Sequence, residues 1–167
     1  AVVTALEAYL YSTFRKIVFS DDSLLAKLIQ TAPEFADRRW AISDVLDWQK
    51  NFKDRVSEYL FNISWHNLPK VRNMYRDTLC IEFPAKFDRL MSAVAIRHDI
   101  VHRNGHKKNG GPRFLPKRAV EYLITDVNAL VDHIELRIKE KYPACMSQAI
   151  KSPKIGKPKP MSVPATN

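Results

Sequence analysis

The sequence predicts an all-α protein, and three observations lead to that prediction. Apolar residues recur every three or four positions through most of the chain, which is the spacing of one helix face. Only 4 of the 167 residues are glycine, whereas a β-sandwich or barrel needs many tight turns. No segment shows a convincing alternation of apolar and polar residues. We therefore expect about five or six helices in an antiparallel bundle.

Two helices are predicted at the start of the chain. The apolar residues from Val2 to Phe19 follow helical spacing. The polar string Ser20–Ser23 then offers N-cap residues for a short helix over residues 24–31. Pro33 interrupts that second helix.

Two further helices are predicted in the middle of the chain. Ser43 or Asp44 is the expected cap of a long amphipathic helix that carries apolar residues as far as Leu60. Asn67 precedes the next helix, which has Pro69 in its first turn. A proline is tolerated there because its missing N–H would have no partner within the helix.

The last two helices flank a polar loop. The first of them is predicted over residues 84–104, with Gly105 as the residue that ends it. The loop covers residues 106–113, and the final helix is predicted over residues 116–142. Pro143 follows and cannot continue the helix.

The composition changes after the final helix. Residues 144–167 contain four prolines, four lysines and no acidic residue. This pattern predicts a helical domain over residues 1–142 and a disordered basic tail over residues 143–167. A linker to a further domain and a loose contact with RNA are alternative interpretations of the tail.

Charge, apolar runs, cysteines and the first residues of the sequence favour some classes of protein and argue against others. The net charge of +9 and a pI near 9.6 favour polyanionic partners such as nucleic acid. No run of 18 apolar residues is present, so we expect no membrane segment. Cys80 and Cys145 form no CxxC pair, which argues against a cysteine zinc site and favours the cytoplasm. The first residues do not resemble a signal peptide, and the start at Ala1 suggests a processed chain, a tag remnant or one domain of a longer protein.

One string, residues 96–105, concentrates chemically active side chains and reads Ile-Arg-His-Asp-Ile-Val-His-Arg-Asn-Gly. A histidine takes or gives a proton near neutral pH, and an arginine binds phosphate as a planar fork. These are the groups needed to cleave a phosphodiester without a metal. The nucleophile would be a ribose 2′-hydroxyl, so the substrate would be RNA.

Within this string, Arg97 and His102 fit the R-x4–6-H motif, with four residues between them, and the sequence thereby resembles the HEPN domain family. The resemblance covers roughly residues 1–142 and includes the opening string Leu6–Leu10. It implies a metal-independent endoribonuclease without a cofactor, which acts in phage defence or toxin–antitoxin systems. It also implies a cytoplasmic homodimer joined through the face of Arg97 and His102, with an antitoxin or a sensor domain as a further partner.

The resemblance also implies roles for individual residues. Arg97 and His102 are the expected catalytic residues, and His98 is the expected supporting polar residue. Further supporting candidates, which orient groups or contact RNA, are Asp99, Arg103 and Asn104. Candidate RNA-binding residues follow in the basic stretch after the motif: Lys107, Lys108, Arg113, Lys117 and Arg118.

Helix geometry bears on the expected dimer. Arg97 and His102 are five residues apart, so their directions differ by roughly 140° around a helix. They do not share one narrow face, and a cleft between two subunits would gather both onto one phosphate. Two protomers would also supply two histidines, one as base and one as acid.

Three alternatives remain open from the sequence. A HEPN-like domain can be non-catalytic and serve to dimerise or to bind RNA, a nucleotide or a partner protein. A basic helical module can bind nucleic acid through charge alone. His98 and His102 also have the spacing of a zinc-binding pair, with His106 as a third ligand.

The aromatic residues Trp40, Trp48, Trp65 and Tyr75 are expected in the core, although such rings can stack on bases.

Overall fold

The structure, a computed structural model, describes residues 1–36, 42–84, 87–104, 106, 109–112 and 116–144. Within these ranges the chain forms seven α-helices and no strand, which confirms the all-α prediction. None of the helices found there is long and apolar enough to cross a bilayer. The helices are α1 (Val2–Val18), α2 (Asp22–Thr31), α3 (Pro33–Ala36), α4 (Ile42–Asn62), α5 (Leu68–Leu79), α6 (Asp88–His102) and α7 (Lys117–Lys141).

Helix α1 packs against α2, α4, α5, α6 and α7, and α3 packs against α2. Its buried side chains recur at three- and four-residue spacing, which keeps them on one stripe of the helix: Val3, Leu6, Leu10, Phe14, Ile17 and Val18. Burial of each large apolar side chain stabilises the fold by about 1.5–3 kcal/mol. This stripe is therefore a main source of stability for the bundle.

Aromatic rings fill the space between α1 and its neighbours. The Phe14 ring centroid lies 5.8 Å from that of Trp65 and 5.2 Å from that of Tyr75. Trp65 and Tyr75 are both buried, which confirms their predicted place in the core. Trp40 and the side chain of Trp48 lie outside the described part of the chain.

Two predicted helix starts are confirmed by their caps. The Asp21 side chain accepts a hydrogen bond of 2.8 Å from the backbone N–H of Ser23 at the start of α2. The Asn67 side chain accepts one of 3.3 Å from the N–H of Lys70 at the start of α5. Each carboxylate or amide oxygen satisfies an N–H group that has no partner within the helix.

The start of α4 differs from the prediction. The helix begins at Ile42, so Ser43 and Asp44 lie in its first turn and not at its cap. Polar residues in a sequence locate the start of a helix only to within one or two residues.

The start of α6 also differs, because the helix begins at Asp88 and not at Pro84. Ile81 and Phe83 are buried while Glu82 between them is exposed, so extended chain precedes the helix there. Pro84 disfavours helical backbone at Phe83, but a proline occurs before a helix as well as in its first turn, so it does not by itself fix where the helix starts.

The final helix confirms the prediction closely, with Pro116 as N-cap and Tyr142 as C-cap of α7. The Tyr142 hydroxyl donates a hydrogen bond of 2.8 Å to the Leu79 carbonyl and so joins the end of α7 to the end of α5. The predicted tail beyond residue 144 lies outside the described part of the chain.

Candidate functional site

The predicted catalytic and supporting residues gather at the C-terminal end of α6. Arg97, His98, Asp99 and His102 lie in about the last two turns of the helix, and Arg103 is its C-cap. Asn104 follows with a left-handed φ of 49° and turns the chain away from the helix. Asparagine adopts this conformation more readily than most residues.

This end of α6 is largely open to solvent. In α6 only Leu90 and Asp99 are buried. The apolar side chains Ile100 and Val101 are 46% and 58% exposed. The helix therefore presents a mixed apolar and polar surface around His102.

Arg97 lies against α1. Its Nη2 atom is 3.8 Å from Oε2 of Glu7, and both side chains are mostly buried, with 31% and 17% exposed. This distance is longer than a hydrogen bond, so Glu7 does not occupy an N–H donor of the guanidinium. Glu7 thus balances the charge of Arg97 without a hydrogen bond to it.

The other carboxylate oxygen of Glu7 is also distinctive. Glu7 Oε1 is buried and has no hydrogen-bond partner within the described residues. A buried acceptor without a partner is costly to the folded state. Because no hydrogen bond from the described residues reaches this oxygen, the carboxylate is held beside Arg97 by the packing of α1 against α6 and by its attraction to the guanidinium.

His98 and His102 form a ring pair on the exposed side of α6. Their ring centroids are 4.6 Å apart, and the ring planes are inclined by 43°. Both side chains are exposed, and four-residue spacing places them on adjacent turns of the helix. Two groups that carry protons near neutral pH therefore lie together at the surface.

The supporting candidates Asp99 and Arg103 pair with each other. Arg103 Nη1 donates a charge-assisted hydrogen bond to Oδ1 of Asp99, across one helical turn. Asp99 is only 5% exposed although it lies roughly 180° around the helix from Leu90. This pair links Asp99 to the C-cap residue of the helix, which directly follows His102.

Arg97 and His102 are not joined within one protomer. No hydrogen bond or ion pair connects them in the part of the chain that the structure describes. Their side chains diverge as the spacing predicts, because Arg97 contacts α1 while His102 is exposed to solvent.

The third histidine of the string turns back onto the backbone. Nδ1 of His106 donates to the Asn104 carbonyl at 3.1 Å, and His106 also forms an isolated bridge with Pro112. Among the described residues, no group of three or more His, Cys, Asp or Glu side chains is placed to hold a metal ion.

Only part of the predicted RNA-binding set can be placed. Lys117 and Arg118 are exposed in the first turn of α7, and Lys117 Nζ lies 3.9 Å from Oε1 of Glu121. The other members of the predicted set are not within the described residues: Lys107, Lys108 and Arg113. Gly105, the residue predicted to end the helix, also lies outside them.

The sequence did not indicate that Glu7 belongs to this site. Glu7 follows the buried Leu6 directly, so it lies at the edge of the apolar stripe of α1. That position is the one signal in the sequence, since it places a charged group beside the core. The partner helix could not be identified from it.

Comparisons of this chain with protein-family models, with curated proteins and with solved structures find no match. The side chains at the end of α6 and their chemistry are therefore the main indication of function.

Proposed function

We propose that this chain is a HEPN-like domain that acts as a metal-independent endoribonuclease, in phage defence or in a toxin–antitoxin system of the cytoplasm. The observation that supports this most directly is the arrangement at the end of α6. An exposed histidine and a partly buried arginine that has no hydrogen bond to Glu7 lie within about two turns of one helix.

The proposed reaction uses each group according to its chemistry. His102 acts as general base or general acid in the attack of a ribose 2′-hydroxyl on the adjacent phosphorus. Arg97 stabilises the negative charge that develops on the phosphorane oxygens. The products are a 2′,3′-cyclic phosphate and a 5′-hydroxyl.

A homodimer through the end of α6 would complete the site. Ile100 and Val101 are exposed apolar side chains on the same turns as the proposed catalytic residues. Contact between two copies would cover them and bring Arg97 of one protomer near His102 of the other. RNA is then held in the cleft, with Lys117 and Arg118 among the contacts to its backbone.

The test is cleavage of a defined RNA stem-loop and of total RNA in the presence of EDTA. We expect the wild-type protein to produce cyclic-phosphate ends, and His102→Ala and Arg97→Ala each to abolish cleavage while circular dichroism stays unchanged. The matched control is His66→Ala, an exposed histidine in the turn between α4 and α5. Cleavage retained by either site variant would remove that residue from the mechanism.

A second candidate function is a non-catalytic HEPN-like module that binds RNA, a nucleotide or a partner protein. The observation that favours it is the contact between Glu7 and Arg97. An arginine whose charge is balanced by a carboxylate can serve to join α6 to α1 without taking part in catalysis. This module binds RNA without cutting it. Lys117→Glu with Arg118→Glu then reduces RNA binding more than His102→Ala does, and Lys139→Glu at the far end of α7 is the control.

A further inference from the structure

We infer that His98 is a second catalytic residue, which acts with His102 of the same protomer as an acid–base pair on one RNA phosphodiester. The inference rests on the proposed ribonuclease function and deepens it. The observation that carries it is the contact between the two exposed rings, whose centroids are 4.6 Å apart. A histidine from the second protomer is then not needed for proton transfer.

The geometry suits the two proton transfers of the reaction. As the bond from the 2′-oxygen to phosphorus forms, the attacking 2′-oxygen and the leaving 5′-oxygen become the two apical ligands of one phosphorus, on opposite sides of that single atom. Each needs a ring nitrogen within about 2.6–3.2 Å. Two rings on adjacent turns of one helix reach two neighbouring oxygens without any rearrangement of subunits, and both rings face solvent.

The protons balance across the step. One neutral imidazole of the pair takes the proton of the 2′-hydroxyl as the bond from the 2′-oxygen to phosphorus forms. The other ring, as imidazolium, gives its proton to the 5′-oxygen as the bond from phosphorus to that oxygen breaks. The two rings have then exchanged protonation states, and proton exchange with water restores them.

Charged groups near the pair lie on two helices. On α6 itself these are Arg97 and the ion pair of Asp99 with Arg103. On α1, Glu7 contacts Arg97. Arg97 precedes His98 directly, so a phosphate donor and an imidazole occupy neighbouring positions.

The test compares two substrates that differ at the leaving group. One is an RNA oligonucleotide with a single cleavable ribose, and the other carries sulfur in place of the 5′-oxygen at the scissile bond. A thiolate leaves without being protonated, so this substrate needs a base but no acid. Rates are measured for the wild type, for His98→Ala, for His102→Ala and for the control His66→Ala.

We expect both site variants to cleave the ordinary RNA at least about 100-fold more slowly than the wild type. On the sulfur substrate, one of the two should recover to near the wild-type rate, which identifies its missing ring as the acid. His66→Ala should match the wild type on both substrates. Because both rings are exposed, neither variant removes a core contact, and unchanged circular dichroism confirms this.

Three results would overturn the acid–base pair. If His98→Ala cleaves ordinary RNA at the wild-type rate, the His98 ring takes no part in the reaction. If His98→Ala and His102→Ala both remain slower than the wild type on both substrates, His98 only positions other groups. Equal mixtures of the two variants should remain inactive, and recovery of activity in the mixture would show that acid and base come from different protomers. Wild-type protein that cleaves neither substrate instead refutes the ribonuclease itself.

Discussion

The hydroxyl of Tyr75 joins α5 to α1 inside the core. It donates a hydrogen bond of 2.8 Å to the Leu10 carbonyl. Complete burial raises the pKa of Tyr75 well above its ordinary value, so the group remains a protonated donor. Tyr75→Phe should lower the free energy of unfolding by about 1 kcal/mol in urea denaturation, the typical net value of one hydrogen bond.

The control for this variant is Tyr122→Phe, since the Tyr122 side chain is 54% exposed. It should change the free energy of unfolding by no more than about 0.5 kcal/mol. Equal effects of the two variants would show that the buried hydrogen bond contributes nothing of its own.

Glu7 is the residue whose substitution should alter RNA binding while every proposed catalytic side chain is kept. Its carboxylate lies 3.8 Å from the Arg97 guanidinium and repels an approaching phosphate. Glu7→Gln should therefore tighten RNA binding, by less than about tenfold because the pair is partly exposed. Binding is measured at fixed salt with the catalytically impaired His102→Ala background.

Glu140→Gln removes the same charge from the far end of α7, where the Glu140 carboxylate pairs with Arg137. It serves as the control for net charge. Weaker RNA binding in Glu7→Gln than in Glu140→Gln would mean that Glu7 supports phosphate binding by Arg97 and does not compete with it.

At the scale of helices, Glu34 ties the short α3 to α4 and α5. Its carboxylate accepts hydrogen bonds from Lys70 Nζ at 2.7 Å and from the Tyr59 hydroxyl at 3.1 Å. Partial burial alone would raise the pKa of Glu34, but the hydrogen bonds outweigh it and the pKa lies below its ordinary value of 4.5. A carboxyl with a lowered pKa stabilises the fold above its ordinary pKa, and this stability is lost as the pH falls.

Glu34→Gln should therefore cost less than about 1 kcal/mol of unfolding free energy at pH 7, as expected for a partly exposed pair. The cost should shrink as the pH falls below 4.5. Urea denaturation over this range measures it, with the exposed Glu58→Gln on α4 as control. A cost that stays constant down to acid pH would contradict the role of the ionised carboxylate.

Local sequence predicted the helices well where buried residues recur at helical spacing, as for α1, α5 and α7. It placed the start of α6 at Pro84 instead of Asp88, because a proline suits the chain before a helix as well as its first turn. In the site, spacing predicted that His98 and His102 are neighbours. The contact of Glu7 with Arg97 joins residues far apart in the chain, so local spacing could not predict it.

For the whole molecule, the proposed dimer makes a prediction about Val101. This side chain is 58% exposed on the last turns of α6. Val101→Asp would bury a charge between two copies, which should weaken the dimer at least about 100-fold. Light scattering after size exclusion should show a wild-type dimer and a monomeric variant without ribonuclease activity.

Leu136→Asp is the control for this change. Leu136 lies on α7, is 53% exposed, and is separated along the chain from the proposed interface. The variant should remain a dimer. A monomeric wild type, or a dimer that survives Val101→Asp, would rule out contact through this face.

The sparse burial of α6 has a consequence for local opening. Its two buried residues are Leu90 and the carboxylate Asp99, whereas α1 buries six apolar side chains. The free energy needed to expose backbone amides to hydrogen exchange follows such local packing. The turns that carry the histidines can therefore open while the core around α1 stays closed. A ligand or partner that covers α6 would slow exchange in that helix and leave the rest of the molecule unchanged.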